Sequence, residues 1–159
     1  MKVETKLQEL GLVLPGPIKV PQGFRLPFAN VRIQGKHVYI AGHHALNSDG
    51  SLAAPFGRVG AEVTLEQAYQ AARLAALAML GDLKRELGDL DRVTAWLRVF
   101  GMVNSAPGFD QQPNVINGFS DLILELYGPE VGQHARSAVG MAGLLMSSPV
   151  EIEAEVETD

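Results

Sequence analysis

The chain has 159 residues, of which 47% are hydrophobic, and its formal net charge is −5 at pH 7. This composition predicts one domain with its own core, and the acidic balance argues against non-specific binding to nucleic acid or an anionic membrane. The lack of cysteine excludes disulfides, thiolate chemistry and cysteine-ligated metal. The charged, proline-broken N-terminus has no signal-peptide pattern, and no window offers the about 20 apolar residues of a membrane helix, so we expect a cytoplasmic protein.

The first third of the chain predicts a short helix, an irregular extended segment and a β-hairpin. The helix is expected at Thr5–Leu10, closed by Gly11. The hairpin pairs Val31–Ile33 with His37–Ala41 across a turn at residues 34–36. Four prolines make the segment between helix and hairpin extended: Pro15, Pro17, Pro21 and Pro27.

The strongest helix pattern in the sequence runs from Thr64 to Leu87. Thr64 and Gln67 have the spacing of a capping box, and Gly88 follows the last apolar position. Apolar residues recur at steps of three and four, which predicts a stripe facing the core. These residues are Leu65, Ala68, Ala72, Ala75, Met79, Leu83 and Leu87.

The rest of the chain predicts a strand at Val93–Val103, a second helix at Val115–Tyr127 ended by Gly128, and strands at Ala135–Met141 and Val150–Val156. The order β-β-α-β-α-β-β predicts an α+β fold in which two helices cover one face of a mixed sheet. The other face must also be covered. Oligomerisation with ligand pockets at the subunit seams is one solution.

Four glutamates occupy alternate positions of the last strand, so they share one face, while Ile152, Ala154 and Val156 take the other. These glutamates are Glu151, Glu153, Glu155 and Glu157. A row of like charges is unfavourable, so at least one of them is expected in a special environment. Arg136 is the candidate partner for an acid or an anionic ligand, because its planar guanidinium suits carboxylates.

The segment Ala135-Arg136-Ser137-x-Val139, followed without a gap by Glu151-Ile152-Glu153-Ala154, resembles the YjgF/YER057c/UK114 family of RidA-type deaminases. Matches at Pro27–Gly42 and at Asn117, near the start of the second helix, extend this resemblance over residues 24–157. It implies a chorismate mutase-like fold and a homotrimer whose three sheets enclose a barrel. Residues 24–159 would form one RidA-like domain, and residues 1–23 an N-terminal extension typical of a divergent branch.

The resemblance also implies a function. Family members hydrolyse enamine and imine intermediates such as 2-aminoacrylate to a 2-keto acid and ammonia, without a bound cofactor. Arg136 would bind the substrate carboxylate and Glu151 would orient or deprotonate the attacking water. The other residues implied to bind substrate are Phe28, Ala41, Gly42, Asn117 and Ala138.

Three departures from the family pattern leave an alternative open. Phe28 stands where the family usually has tyrosine, Ala41 where it has serine or threonine, and His43 where many members have glutamine. The lost hydroxyls favour a non-catalytic trimer that binds a small carboxylate metabolite for sensing or scaffolding. Arg136 is also open to interpretation as an interfacial ion-pair partner of Glu151 or Glu153, and Asn117 as a helix-start residue. A ribonuclease role fits poorly with the acidic balance and the lack of a basic stripe.

Three histidines and one tryptophan are further candidates for a special role. His43 and His44 look like a metal-binding pair, but neighbours in a strand point to opposite faces and no third ligand is evident, so no metal site is predicted. His134 is interpreted as a loop residue and Trp96 as a core residue.

Overall fold

The computed structural model describes residues 2–159 and contains three helices and five strands. In chain order these are α1 (Lys2–Glu9), β1 (Val31–Gln34), β2 (His37–His43), α2 (Leu65–Leu87), β3 (Val93–Asn104), α3 (Gln112–Gly132), β4 (Ala135–Met141) and β5 (Val150–Thr158). The predicted order of strands and of the two long helices is confirmed. No helix in the described part of the chain is long and apolar enough to cross a membrane.

The five strands form one open sheet in the order β1-β2-β5-β3-β4. Only β3 and β4 are parallel, so the sheet is mixed as predicted. The last strand, β5, lies at the centre between β2 and β3, and α2 and α3 pack on one face. Ile152, Ala154 and Val156 are buried under these helices, which leaves the glutamates of β5 on the open face.

The structure of α2 follows from its ends and its alanine-rich face. The Thr64 side chain accepts a hydrogen bond from the Gln67 N–H, and the Gln67 side chain accepts one from the Thr64 N–H, which confirms the capping box. The predicted stripe is buried except for Leu65, which is partly buried. A Cβ at Gly118 would collide with the Tyr69 carbonyl, so the small residue allows α3 to pack closely on α2.

The second long helix begins earlier than predicted. Pro113 lies in its first turn, where a missing N–H costs nothing, so α3 starts at Gln112 rather than Val115. Gly128 has φ 75° and ψ 172°, which interrupts the helix at the predicted place before a short final turn. Asn117 therefore lies in the second turn of α3 and does not cap it, so its interpretation as a helix-start residue is wrong.

The N-terminal segment packs on the rest of the chain. Helix α1 starts at Lys2, three residues before the prediction, and buries Val3 and Leu7. The Glu4 carboxylate accepts a hydrogen bond from Lys84 Nζ at 2.8 Å. Together these contacts attach α1 to α2, to α3 and to the hydrophobic core.

Candidate functional site

A cavity of about 210 Å³ opens beside the end of β2. It contains three of the predicted site residues, Phe28, Gly42 and Glu151. The polar part of its lining comes from Asn30, His43, His44, Asp82 and Glu151. Because sites for drug-sized ligands measure roughly 300–1,000 Å³, this cavity suits a small metabolite.

Glu151 is held in this cavity by the His44 side chain, which follows β2, and by the space beside Gly42 in β2. Its Oε1 lies 2.8 Å from His44 Nε2, which donates to the carboxylate. This hydrogen bond lowers the pKa of Glu151 and outweighs the opposing effect of burial, so the side chain is an ionised carboxylate at neutral pH. A Cβ at Gly42 would collide with the same carboxyl group, so glycine leaves the space that Glu151 occupies. An ionised, oriented carboxylate of this kind can accept a proton from water.

The two neighbouring histidines have separate partners. His43 Nε2 lies 2.9 Å from Asp82 Oδ2 on α2, and His43 Nδ1 lies 2.6 Å from the Ala41 carbonyl oxygen. Burial acts to raise the pKa of Asp82, but hydrogen bonds from His43 and Arg85 lower it overall. His44 instead contacts Glu151. The sequence did not predict that His44 is the partner of this acid. The only sequence signal for it was the unusual histidine pair after Gly42.

Arg136 lies in a different region, at the β4 edge of the sheet against α3. Its Nη1 donates to Ser120 Oγ and its Nη2 to the Pro113 carbonyl, both at 3.0 Å. Ser120 Oγ also lies 2.8 Å from Nε2 of the loop residue His134, whose Nδ1 donates to the Gly132 carbonyl. Burial lowers the pKa of His134, and the charge of Arg136 lowers it further, so the Ser120 hydroxyl donates to a neutral ring.

The guanidinium retains unused donors at this edge. Arginine has five N–H groups, and Arg136 uses two of them within residues 2–159. Asn117 lies one helical turn from both Pro113 and Ser120, and Ala138 is two positions from Arg136 on the same face of β4. Arg136, Asn117 and Ala138 therefore form a second group of predicted site residues, which we call the Arg136 edge.

The register of the sheet places Arg136 and Glu151 on opposite faces. Arg136 pairs with Val99 of β3, which is buried under the helices. Glu151 pairs with Met102 of the same strand. Val99 and Met102 are three positions apart, so their side chains point to opposite faces of the sheet. Each pairing partner shares the face of its residue, so Arg136 and Glu151 also point to opposite faces. An ion pair of Arg136 with Glu151 or Glu153 inside one chain is excluded; such a pair across a subunit interface stays a prediction.

Ala41 does not line the Glu151 cavity. It contributes to a larger groove of about 410 Å³ on the open face of the sheet, together with Arg32, Arg98 and Glu153. Phe28 lies between this groove and the Glu151 cavity and lines both. The predicted site residues therefore fall into the cavity, the Arg136 edge and this groove.

Comparison with known proteins agrees with this fold. The family model for YjgF/chorismate mutase-like proteins, whose name also refers to endoribonuclease activity, matches residues 4–149. The chain belongs to this family. Protein TCP17 of Trypanosoma cruzi is 37% identical over 156 residues, which cover 98% of this chain and 94% of TCP17. The family resemblance seen in the sequence is thus confirmed.

Solved structures of family members extend the comparison. Atu1372 of Agrobacterium tumefaciens, a protein of unknown function, is 37% identical and superposes with a TM-score of 0.87 over 99% of this chain and 94% of its own. Escherichia coli TdcF, solved with bound serine, shares the fold with a TM-score of 0.59 at 16% identity, over 91% of this chain and 99% of TdcF. The family fold therefore extends over nearly the whole chain, including most of its N-terminal segment.

Proposed function

We propose that the protein is a hydrolytic deaminase of enamine and imine intermediates of the 2-aminoacrylate type, giving a 2-keto acid and ammonia. The observation that carries this proposal is the ionised Glu151 carboxylate, oriented by His44 at the wall of a small cavity. Its family is the one to which RidA-type deaminases belong.

The chemistry needs little beyond a positioned base. An enamine first tautomerises to the imine, whose carbon is electrophilic once its nitrogen is protonated. The oxygen of water bonds to this carbon, one water proton passes to Glu151, and the C=N electron pair moves to nitrogen. Glu151 then returns its proton to the amino nitrogen, the C–N bond breaks to release ammonia, and the hydroxyl group passes its proton to solvent water as the carbonyl forms. Positioning and modest acid–base assistance are sufficient for such a substrate.

Arg136 is the proposed anchor of the substrate carboxylate, and its position bears on the assembly of the site. Because Arg136 and Glu151 lie on opposite faces of the sheet, one substrate can contact both only if they come from different chains. A homotrimer with a pocket at each seam meets this requirement. The open face supports such an assembly, because its apolar Phe28 and Tyr39 are 58% and 48% exposed in the single chain.

Two observations support a small carboxylate as the ligand. The three unused N–H groups of Arg136 are enough for two parallel hydrogen bonds to a carboxylate. TdcF, which shares the fold, has been solved with bound serine, an amino acid that carries a carboxylate group. RNA is a poorer fit, because the cavity contains the acids Asp82 and Glu151 where phosphates would need cations.

The alternative is a non-catalytic trimer that binds a small carboxylate metabolite for sensing or scaffolding. Phe28 and Ala41 favour it, because neither supplies a hydroxyl near the reacting carbon. The two functions share the Arg136 anchor and differ in whether Glu151 accelerates a reaction.

Replacing the proposed base tests the enzyme directly. Glu151→Gln preserves size, so we expect hydrolysis of enzymatically generated 2-aminoacrylate to slow by about 10²–10⁴-fold, while 2-keto acid binding stays within a few-fold. Ammonia and keto-acid release measure the rate, and titration calorimetry measures binding. Glu157→Gln, on the same face of β5 but outside the cavity, is the matched control.

The other outcomes are equally informative. If the wild type is no faster than Arg136→Ala yet binds the keto acid, the deaminase function is wrong and the metabolite-binding alternative takes its place. If Glu151→Gln and wild type react equally, both well above background, the enzyme remains but Glu151 is not its base.

A further inference from the structure

The Arg136 guanidinium is held by neutral acceptors. Its Nη1 donates to the Ser120 hydroxyl and its Nη2 to the Pro113 carbonyl. Burial lowers the pKa of Arg136, and the charge of Asp121 opposes this effect. The Asp121 carboxylate accepts a hydrogen bond from the Tyr69 hydroxyl at 2.7 Å, and within residues 2–159 no acid forms an ion pair with Arg136. The guanidinium is therefore positioned without being neutralised.

The hydrogen of the Ser120 hydroxyl is directed by His134. Because burial lowers the pKa of His134, its ring is neutral. His134 Nδ1 donates to the Gly132 carbonyl at 2.7 Å, so Nε2 carries no hydrogen and can only accept. Ser120 Oγ lies 2.8 Å from this Nε2 and donates its single hydrogen to it. The oxygen lone pairs then point away from His134, and one of them accepts from Arg136.

The His134 ring is itself fixed by packing at the end of α3. It meets the buried Phe119 ring edge to face, with the centroids 6.4 Å apart and an interplanar angle of 84°. A Cβ at the buried Gly132 would lie only 3.0 Å from the Ile123 carbonyl oxygen, so glycine allows the chain to turn closely at this point. A series of contacts therefore runs from Gly132 through His134 and Ser120 to the guanidinium, and none of them depends on a ligand.

This series matters because arginine recognises a carboxylate through two parallel hydrogen bonds, which require a set orientation of the guanidinium plane. A serine inside a helix has a competing partner, since its hydroxyl can turn to a carbonyl of the preceding turn. The hydrogen bond to His134 opposes that turn. The Ser120 oxygen thus stays where it accepts from Arg136.

We propose that His134 and Ser120 are positioning residues that orient the Arg136 guanidinium for the carboxylate of the substrate. His134 acts through Ser120, and Ser120 acts through Arg136. This inference rests on the proposed role of Arg136 as the anchor and adds two residues to that role. His134, interpreted from the sequence as a loop residue, thereby belongs to the site.

Two substitutions of His134 separate its two hydrogen bonds. The amide of asparagine reaches about as far as Nδ1 and that of glutamine about as far as Nε2, so only His134→Gln keeps an acceptor for Ser120. We expect His134→Asn to raise the Kd for pyruvate by about 2- to 12-fold, the size of one neutral hydrogen bond, and His134→Gln to remain near the wild type. Ser120→Ala should raise this Kd by about 10- to 100-fold, because a hydrogen bond to a charged group is lost. Ser51→Ala, which removes a hydroxyl that donates to Asp49 in a turn, is the matched control.

Combined substitutions test the order of action. The double variant Ser120→Ala/His134→Asn should bind pyruvate no more weakly than Ser120→Ala, and Ser120→Ala should cause no further loss in Arg136→Ala protein. NMR titration with pyruvate measures these affinities. In hydrolysis of enzymatically generated 2-aminoacrylate, Ser120→Ala and His134→Asn should raise KM and leave kcat within a few-fold, since the carboxylate is bound alike in the ground and transition states.

Binding separates this proposal from the function on which it rests. If the wild type hydrolyses no imine but the variants change pyruvate binding in the expected pattern, the positioning role is supported and the deaminase is wrong. If the wild type is active and Arg136→Ala weakens pyruvate binding, while Ser120→Ala and His134→Asn bind like the wild type, the positioning role is overturned and the deaminase stands.

Three further results would also overturn the positioning role. These are additive losses in the double variant, equal losses in His134→Asn and His134→Gln, and a fall in kcat without a rise in KM. If Arg136→Ala binds pyruvate as well as the wild type, the anchor is wrong and this inference fails with it. If His134→Asn does not fold, Ser120→Ala decides the matter, measured with and without Arg136→Ala.

Discussion

The Glu151 cavity and the Arg136 edge differ in how completely one chain builds them. In the cavity, the His44 ring and the space left by Gly42 determine the position of the carboxylate. At the edge, Arg136 rests on a serine hydroxyl and a backbone carbonyl and keeps three donors unused within the described chain. A proton acceptor must be oriented before the reaction begins, whereas a carboxylate anchor needs free donors for its ligand. In the proposed function, the acid is therefore preorganised, and Arg136 keeps donors for the substrate carboxylate.

The largest effect in binding is expected at the Arg136 edge. Arg136→Ala should weaken binding of a 2-keto acid by about 2–5 kcal/mol, or roughly 30- to 4,000-fold in Kd, since a paired, charge-assisted contact is lost. Arg136→Lys should restore little, because a single ammonium cannot reproduce two parallel hydrogen bonds. Titration calorimetry measures both variants.

Two controls show whether this loss is local. Arg73→Ala removes an arginine from the helix surface, where it pairs with Glu125 at 3.6 Å, and should leave binding unchanged. Sedimentation of Arg136→Ala should still give about three times 17.1 kDa, the mass expected for the proposed trimer. Dissociation to monomers would instead make Arg136 a structural interface residue and remove it from the site.

A smaller effect on rate is expected from a single methyl group in the cavity. In Gly42→Ala the added Cβ collides with the Glu151 carboxylate, which must shift. A displacement of about 1 Å from a reactive geometry costs about 10²-fold, so kcat should fall by that order while keto-acid binding changes little. Gly143→Ala is the matched control, because its Cβ meets nothing within 4 Å. Equal rates for Gly42→Ala and wild type would mean that the Glu151 position is not critical.

The smallest effect concerns pH. The hydrogen bond from His44 lowers the pKa of Glu151, and the base works only when ionised, so wild-type activity should persist to lower pH than for an ordinary glutamate. His44→Leu removes the donor, raises the pKa of Glu151 and should move the acidic limb of the kcat/KM profile to higher pH. His44→Gln, which keeps an N–H donor, should move it less.

The same hydrogen bond should also affect how the unfolding free energy depends on pH. Because the folded pKa of Glu151 is lowered, its contribution to stability is present above the pKa of the unfolded chain and is lost as pH falls through the folded pKa. His44→Leu removes this contribution, so its unfolding free energy should depend less on pH in the acidic range than that of the wild type. Denaturant unfolding at several pH values measures the difference, and an unchanged pH dependence would contradict the role of His44.

Much of the fold was predictable because its signals are local. The Thr64–Gln67 capping box, the stripe of α2 and the alternation of β5 depend on residues a few positions apart, and each was found where the sequence placed it. The start of α3 was predicted three residues too late, at Val115 rather than Gln112, although Pro113 is well suited to a first helical turn.

The sequence by itself determined the elements and, through the family motif, the two residues proposed to carry the chemistry, Arg136 and Glu151. Only the tertiary structure decided that they face opposite sides of the sheet, because the faces of β4 and β5 are related through their pairing with β3. It also decided the partners of the site. His44 and Glu151 meet across 107 positions of sequence, and Ile18 and Leu26, which precede the hairpin, line the same cavity. Local periodicity shows which face of an element is buried, but contacts between distant segments depend on how the elements pack together.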